Sequence, residues 1–211
     1  MMFVIVTAAP SPIDIADANA GRFLRDTSNF CDSLEKNLGI GRDAMINLHF
    51  GVNNLKDAAS VKKEIESILL EHQDEDLCLV YIGHGQESGW ALSGERDNEA
   101  LAYDEMRLTF ALHSGNLIFL NCCCYGGAGI SALESHSGEN LLISPLPATH
   151  SGYVHNFLST AIRSWKYGNF YDPYVCRDNL DSKPVVSGNQ ELQKLFFLSG
   201  IPAESGGVYA R

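Results

Sequence analysis

Apolar residues fall into short continuous runs along this chain, and polar stretches that contain glycine separate the runs. Such runs have the length and β-branched content of strands that are buried on both faces. The predicted strands are Phe3–Thr7, Ala44–Phe50, Leu77–Ile82, Asn116–Leu120 and Asn140–Ser144, and Leu195–Leu198 is expected to lie in a sixth.

Between these runs, apolar positions recur every three to four residues, as they do in amphipathic helices. The predicted helices are Asp26–Leu38, Lys56–Glu71, Leu101–Leu112 and Tyr153–Trp165. Alternating strands and helices predict an α/β fold, a three-layer α/β/α sandwich around a mostly parallel sheet of about six strands. Without a repeat or linker, residues 1–211 are expected to form a single domain.

Charge and hydropathy narrow the range of partners. The net charge of −11 argues against nucleic acid and anionic membranes as partners. No apolar run approaches the 18 residues of a spanning helix. The apolar start, Met1–Ala9, lacks the basic region of a signal peptide and is better interpreted as the first strand.

Six cysteines favour a reducing setting. Their spacing is not that of a secreted disulfide framework, and no second Cys/His cluster completes a zinc site. We therefore expect a cytoplasmic protein with no metal and no cofactor. The cysteines are Cys31, Cys78, Cys122, Cys123, Cys124 and Cys176.

Two polar motifs follow predicted strands. In parallel sheets, ligands and catalysis lie at the carboxyl ends of the strands. The third strand ends in "YIGHGQ" (Tyr81–Gln86), and the fourth ends in "NCCCYGG" (Asn121–Gly127). If these strands are neighbours, a histidine and a cysteine cluster face each other across one edge of the sheet.

The alternation of side chains in a strand separates the three adjacent cysteines. Cys122 and Cys123 keep the strand register and should pack in the core, whereas Cys124 is released into the following turn. A nucleophilic thiol needs a base and donors for the oxyanion, which His84 and the N–H of Gly85 could supply. The open alternative is that all three thiols are buried and inert.

"YIGHGQ", followed 40 residues later by "NCCCYGG", resembles the cysteine peptidases of the caspase–hemoglobinase fold (clan CD), which include caspases, metacaspases and legumains. "DTSNFCDSLEKNLGI" and "LKDAASVKKEIESIL" resemble the first two helices of that family, and "KPVVSGNQELQKLFFL" resembles its closing strand region. The resemblance implies an endopeptidase with Cys124 as nucleophile and His84 as proton carrier. The backbone N–H groups of Gly85 and Cys124 would form the oxyanion hole.

The same resemblance implies a substrate pocket beside the residue two positions before the nucleophile, here the neutral Cys122, and beside the loop that follows the first strand. In that loop, Arg22 or Arg25 would pair with an acidic P1 side chain, and Asp14 or Asp17 with a basic one. The alternative for each of the four is an ordinary surface charge or a cluster at the start of a helix, so P1 specificity stays open.

The segment after the fifth predicted strand would flank the substrate cleft in this family. Thr149, His150 and Ser151 are therefore substrate-groove candidates, or else a loop that ends in a helix-capping serine. Trp90 is expected to pack a small hairpin over the His84 loop, with a substrate-facing role as the alternative. The histidines expected at surface or capping positions are His113, His136 and His155.

Two other classes of function compete with the peptidase. One is a catalytically inactive caspase-fold module that regulates or binds another protein. The other is a redox sensor that uses the cluster Cys122–Cys124. A peptidase would act on a protein or peptide substrate, with its activity controlled by a partner, dimerisation or a metal ion.

Overall fold

A six-stranded sheet forms the centre of the chain in the computed structural model, which describes residues 1–9, 21–51, 55–93, 99–152, 157–158 and 185–195. Its strands are β1 (Met2–Thr7), β2 (Met45–His49), β3 (Leu77–Ile82), β7 (Leu117–Cys122), β8 (Asn140–Ser144) and β9 (Val185–Gly188). The strand order is β2-β1-β3-β7-β8-β9, and all neighbours are parallel except β8 and β9.

A small antiparallel sheet follows β3 directly. It consists of β4 (His84–Gln86), β5 (Gly89–Ala91) and β6 (Ala100–Ala102), in that order. The predicted hairpin is present, with Trp90 in its second strand, but His84 begins its first strand instead of lying beneath it. The third strand was not predicted, because three residues are too few to show an alternating pattern.

In the described part of the chain, the large sheet is covered by helices α1 (Arg22–Leu38), α2 (Ala58–Glu71) and α3 (Tyr103–Phe110). Short 3-10 helices span Arg42–Ala44, Gly126–Leu133 and Gln190–Leu192. The predicted helix Tyr153–Trp165 lies outside the described residues except for Phe157 and Leu158, which are helical and buried. None of the described helices is both long and apolar enough to cross a membrane.

The strands send alternate side chains to two separate cores. Phe3 and Ile5 of β1 pack on the side of α1, whereas Val4 and Val6 pack on the side of α2 and α3. This alternation follows from the two-residue period of a strand. Because both faces of the sheet are covered, the described residues form the predicted three-layer α/β/α arrangement.

The predicted position of the last strand is wrong. Leu195 is helical, and residues 196–198 lie outside the described part of the chain. The sixth strand is instead β9, which pairs antiparallel with β8 from Leu141–Gly188 to Ser144–Val185. Its short segment, "VVSG", carries only two β-branched residues and so gives a weaker hydrophobic signal than the later apolar run.

Two histidines expected at the surface are buried together. His113 and His136 have exposed fractions of 0% and 8%, and their rings stack with centroids 5.3 Å apart. Nδ1 of His113 lies 3.0 Å from Nε2 of His136. The other two ring nitrogens face backbone carbonyls, at 2.9 Å for Glu75 and 3.1 Å for Gly138. The third histidine of that prediction, His155, lies outside the described residues.

Candidate active site

The two polar motifs lie at the same edge of the sheet because β3 and β7 are neighbours. Their register pairs Ile82 with Cys122, so His84 and Cys124 each stand two residues beyond a paired position. The hydrogen bonding between the two strands continues one residue past the end of β3, where the Gly83 N–H donates to the Cys122 carbonyl at 3.4 Å. The expected meeting of the histidine and cysteine segments is therefore present.

Gly85 brings the two segments into direct backbone contact. A β-carbon at this position would lie 2.3 Å from the carbonyl oxygen of Cys124 and 2.6 Å from Sγ of Cys123. Real β-carbons do not approach other atoms so closely, so only glycine fits between the hairpin and the cysteine turn. The glycine that follows His84 is thus required by packing at this edge.

The hydrogen-bond pattern of the small sheet leaves the N–H of Gly85 directed away from β5. Bonds of an antiparallel ladder alternate along a strand, so a residue that bonds to one neighbour does not bond to the other. By this rule, the backbone N–H and carbonyl of Trp90, the residue that pairs with Gly85, point towards β6. The bonds that set the alternation are Tyr103 N–H to the Ser88 carbonyl, at 2.8 Å, and Leu92 N–H to the Glu99 carbonyl, at 2.9 Å.

The three adjacent cysteines differ in exposure as the strand alternation predicts. Cys122 and Cys123 are buried on opposite sides of the sheet, whereas Cys124 is half-buried in the turn after β7. Burial raises the pKa of the Cys122 thiol well above its usual range, and the Cys123 thiol and the Asp26 carboxylate raise it further. Burial also raises the pKa of Cys123. Both thiols therefore stay protonated and packed.

Cys124 is held between its own turn and the segment Leu146–Gly152. Its thiol donates to the Gly152 carbonyl at 3.2 Å and accepts from the Gly152 N–H at 3.3 Å. The next residue, Tyr125, has a left-handed backbone (φ 55°), and its N–H donates to the His150 carbonyl at 2.8 Å. Backbone bonds thus fix the segment of the predicted substrate-groove residues against the cysteine turn.

The predicted substrate-groove side chains are at the surface of this segment. Thr149, His150 and Ser151 are all exposed, and Oγ1 of Thr149 lies 2.9 Å from Nδ1 of His150. Their backbone lies beside Cys124 through the bonds of His150 and Gly152. Their role towards a substrate stays a prediction.

Phe23 and Tyr81 both contact His84. The ring of Phe23, in the first turn of α1, meets the His84 ring edge to face with centroids 4.9 Å apart. The hydroxyl of Tyr81 donates to the His84 carbonyl at 2.7 Å. The buried amide of Asn121 does not hydrogen-bond to the His84 ring; its hydrogen bonds go to Trp90, Tyr103, Gly126 and Cys123.

The residues proposed for the P1 pocket are only partly described. Arg22 and Arg25 belong to helix α1 and not to the expected loop; Arg22 is half-buried and Arg25 is exposed. The contact of Phe23 with His84 places this helix start at the candidate site. Asp14 and Asp17 lie outside the described residues. Trp90 is fully buried, so it does not face a substrate.

Sequence reasoning missed three contributors to the site. Asp26, expected to open the first helix, lies one turn inside α1 as a buried carboxylate beside Cys122. Phe23 and Gly152 gave no signal, since a helical phenylalanine and a loop glycine are ordinary in sequence. For Asp26, the one available signal was an acidic residue at an otherwise core-facing helical position.

Comparison with known proteins finds distant likeness only in solved structures. No protein-family model matches the chain, and no curated protein matches it. A secreted C11 cysteine protease from Bacteroides thetaiotaomicron, in complex with an irreversible peptide inhibitor, aligns with a TM-score of 0.46 and 8% identity over 80% of this chain and 54% of that one. Raptor from Chaetomium thermophilum aligns with a TM-score of 0.45 and 11% identity over 77% and 17%.

This chain therefore spans about half the length of the first of these proteins and about a sixth of the second. Likeness at this level does not establish a shared activity.

Proposed function

We propose that this protein is a cysteine endopeptidase that cleaves a protein or peptide through the dyad of Cys124 and His84. One observation carries the proposal. The backbone of Cys124, the half-exposed residue of the cysteine cluster, packs against Gly85, next to His84, at the carboxyl edge of two adjacent parallel strands. A thiol, an imidazole and backbone N–H groups at one edge of a sheet are the parts that acyl transfer requires.

The proposed reaction proceeds through an acyl-enzyme. His84 takes the thiol proton of Cys124, and Sγ attacks the scissile carbonyl carbon. The N–H groups of Gly85 and Cys124 donate to the resulting oxyanion, each worth about 3 kcal/mol of barrier reduction. His84 then gives its proton to the leaving amine nitrogen. A water molecule, deprotonated by His84, hydrolyses the thioester and restores the thiol.

Both proposed oxyanion donors are compatible with that role. The ladder alternation directs the Gly85 N–H away from β5, and among the described residues the Cys124 N–H donates to no backbone carbonyl. The contact of Gly152 with the thiol implies that a substrate carbonyl must displace this segment. Displacement by a partner or by dimerisation would then control activity.

We also infer a reducing, cytoplasmic setting. The five cysteines in the described part of the chain are all free thiols, and a reducing compartment keeps them so. A thiolate nucleophile would also be preserved under such conditions.

The test is capture by a peptidyl acyloxymethyl ketone library, read by mass analysis of the modified peptide. We expect modification confined to Cys124, lost in Cys124→Ala and slowed at least about 100-fold in His84→Ala. Cys31→Ala is the matched control, since it removes a buried thiol of α1 that contacts Asn47 of β2. If no member of the library modifies Cys124, while Cys124→Ala still binds the same protein partners as the wild type, the inactive regulatory module becomes the better reading.

A further inference from the structure

Asn121 is a fully buried amide in a strand of otherwise apolar side chains and one thiol. Its Oδ1 accepts from Nε1 of Trp90 at 2.9 Å and from the Cys123 thiol at 3.4 Å. Its Nδ2 donates to the Tyr103 hydroxyl at 2.9 Å and to the Gly126 carbonyl at 2.7 Å. An asparagine amide has two donors and two acceptor positions, so all four are used.

The chemistry of the partners fixes the orientation of this amide. An indole N–H can only donate, and a backbone carbonyl can only accept. Oδ1 must therefore face Trp90, and Nδ2 must face Gly126. In the flipped orientation, Nδ2 would face the indole N–H of Trp90, donor against donor, and Oδ1 would face the Gly126 carbonyl, acceptor against acceptor. Asn121 is therefore held in one orientation.

Three of the four partners belong to the two parts of the candidate site. Trp90 stands opposite Gly85 in the small sheet that also carries His84. Cys123 and Gly126 lie on either side of Cys124 in the chain. Asn121 thus joins the hairpin of the histidine to the turn of the nucleophile through one rigid side chain.

We propose that Asn121 is the positioning residue of the site, setting the separation between the Cys124 thiol and the His84–Gly85 segment. The inference rests on the proposed peptidase function, since it concerns the same two groups. Proton transfer and oxyanion binding depend steeply on geometry, and a misplacement of about 1 Å can cost about 100-fold in rate. Without the bond to Trp90, the hairpin is free to shift relative to the turn.

Two substitutions, each of which removes one hydrogen bond to the Asn121 amide, separate positioning from simple stability. Trp90→Phe removes the 2.9 Å bond that reaches the hairpin, and Tyr103→Phe removes the 2.9 Å bond that reaches α3. Helix α3 carries neither His84 nor Cys124, so Tyr103→Phe is the matched control. Both variants leave Asn121 with a missing buried partner.

The readout is the rate of Cys124 alkylation by iodoacetamide between pH 5 and 9, together with kcat and KM for any captured peptide sequence. We expect Trp90→Phe to lower alkylation at pH 6 and kcat by about 10- to 100-fold, with KM changed less than about threefold. Tyr103→Phe should stay within about threefold of the wild type, although both variants unfold at lower urea concentration. Asn121→Ala, if it folds, should match Trp90→Phe.

The outcomes distinguish the two proposals. Equal effects of Trp90→Phe and Tyr103→Phe, in a protein whose alkylation depends on His84, would overturn the positioning role and leave the peptidase intact. If His84→Ala leaves the alkylation profile unchanged, there is no dyad to position, and both proposals fail.

Discussion

Lowering the pH from 6.5 to 5 should destabilise this fold by about 1–3 kcal/mol through one buried pair of histidines. Nε2 of His113 and Nδ1 of His136 face backbone carbonyls, so both must carry hydrogen. The other two ring nitrogens, Nδ1 of His113 and Nε2 of His136, lie 3.0 Å apart and can form a hydrogen bond only if one of them also carries a proton. The pair can satisfy all three contacts only with a single positive charge.

Burial opposes that charge. Desolvation lowers the pKa of His113, against smaller raising effects of the Glu75 carbonyl and of the carboxylates of Asp74 and Asp76. It also lowers the pKa of His136, and the charge of His113 lowers it further. Because the folded-state pKa values are lowered, the unfolded chain binds protons first as the pH falls below about 6.5. The stability is present above that pH and is lost below it.

The magnitude depends on how many protons the folded pair holds. In the unfolded chain both histidines take up protons with a pKa of about 6.5. If the folded pair binds no proton, the free energy of unfolding falls by about 3 kcal/mol between pH 6.5 and 5. If the folded pair already holds one shared proton, the loss is about 1 kcal/mol. Two protons are excluded, because like charges about 3 Å apart repel strongly.

The assay is urea unfolding at pH 7.5, 6.5, 5.5 and 5 for the wild type and the double variant His113→Gln, His136→Asn. Each amide keeps a donor for its backbone carbonyl but does not titrate. We expect the wild type to lose about 1–3 kcal/mol more than the variant between pH 6.5 and 5. His150→Gln, which removes an exposed histidine, is the control and should follow the wild type. Parallel curves for the wild type and the double variant would refute the reasoning.

Three further outcomes are expected. At pH 8 the native protein should be alkylated at Cys124 but not at Cys122, whose pKa burial raises, and equal labelling in a peptide map would contradict this. Phe119→Ala, at a fully buried position, should cost about 3–5 kcal/mol in urea unfolding, and a loss below about 1 kcal/mol would contradict its core placement. Asp57→Ala removes the cap on the Ser60 N–H and should lower the urea midpoint. Because that bond lowers the pKa of Asp57, the difference from the wild type should vanish as the pH falls below about 4, and a difference that persists would exclude the cap as its cause.

Hydrophobic runs were sufficient to locate the central strands. Leu77–Ile82 and Asn140–Ser144 have the predicted bounds, because buried parallel strands are continuously apolar and end at polar or glycine residues. β6 was not predicted and β9 was misplaced, because strands of only three or four residues carry little periodic signal. Their pairing comes from neighbouring strands rather than from their own composition.

The candidate site was predictable where it follows from strand alternation. That rule indicated burial of Cys122 and Cys123 and release of Cys124 into the turn. The contacts of Gly152 with the thiol and of Phe23 with His84 were not predictable, because they join residues far apart in the chain. The buried histidine pair was missed for the same reason, since each histidine alone is typical of a surface loop.

The β3–β7 ladder joins the two halves of the candidate site without using the chain between them. Six residue pairs, from Leu77–Leu117 to Ile82–Cys122, connect the strands. The turn at Glu87 and Ser88 is exposed and lies between His84 and Cys124 in sequence. A nick there would give two polypeptides, each with one of the two groups, that stay associated through the sheet. The site could therefore be reconstituted by fragment complementation, with neither fragment reactive alone.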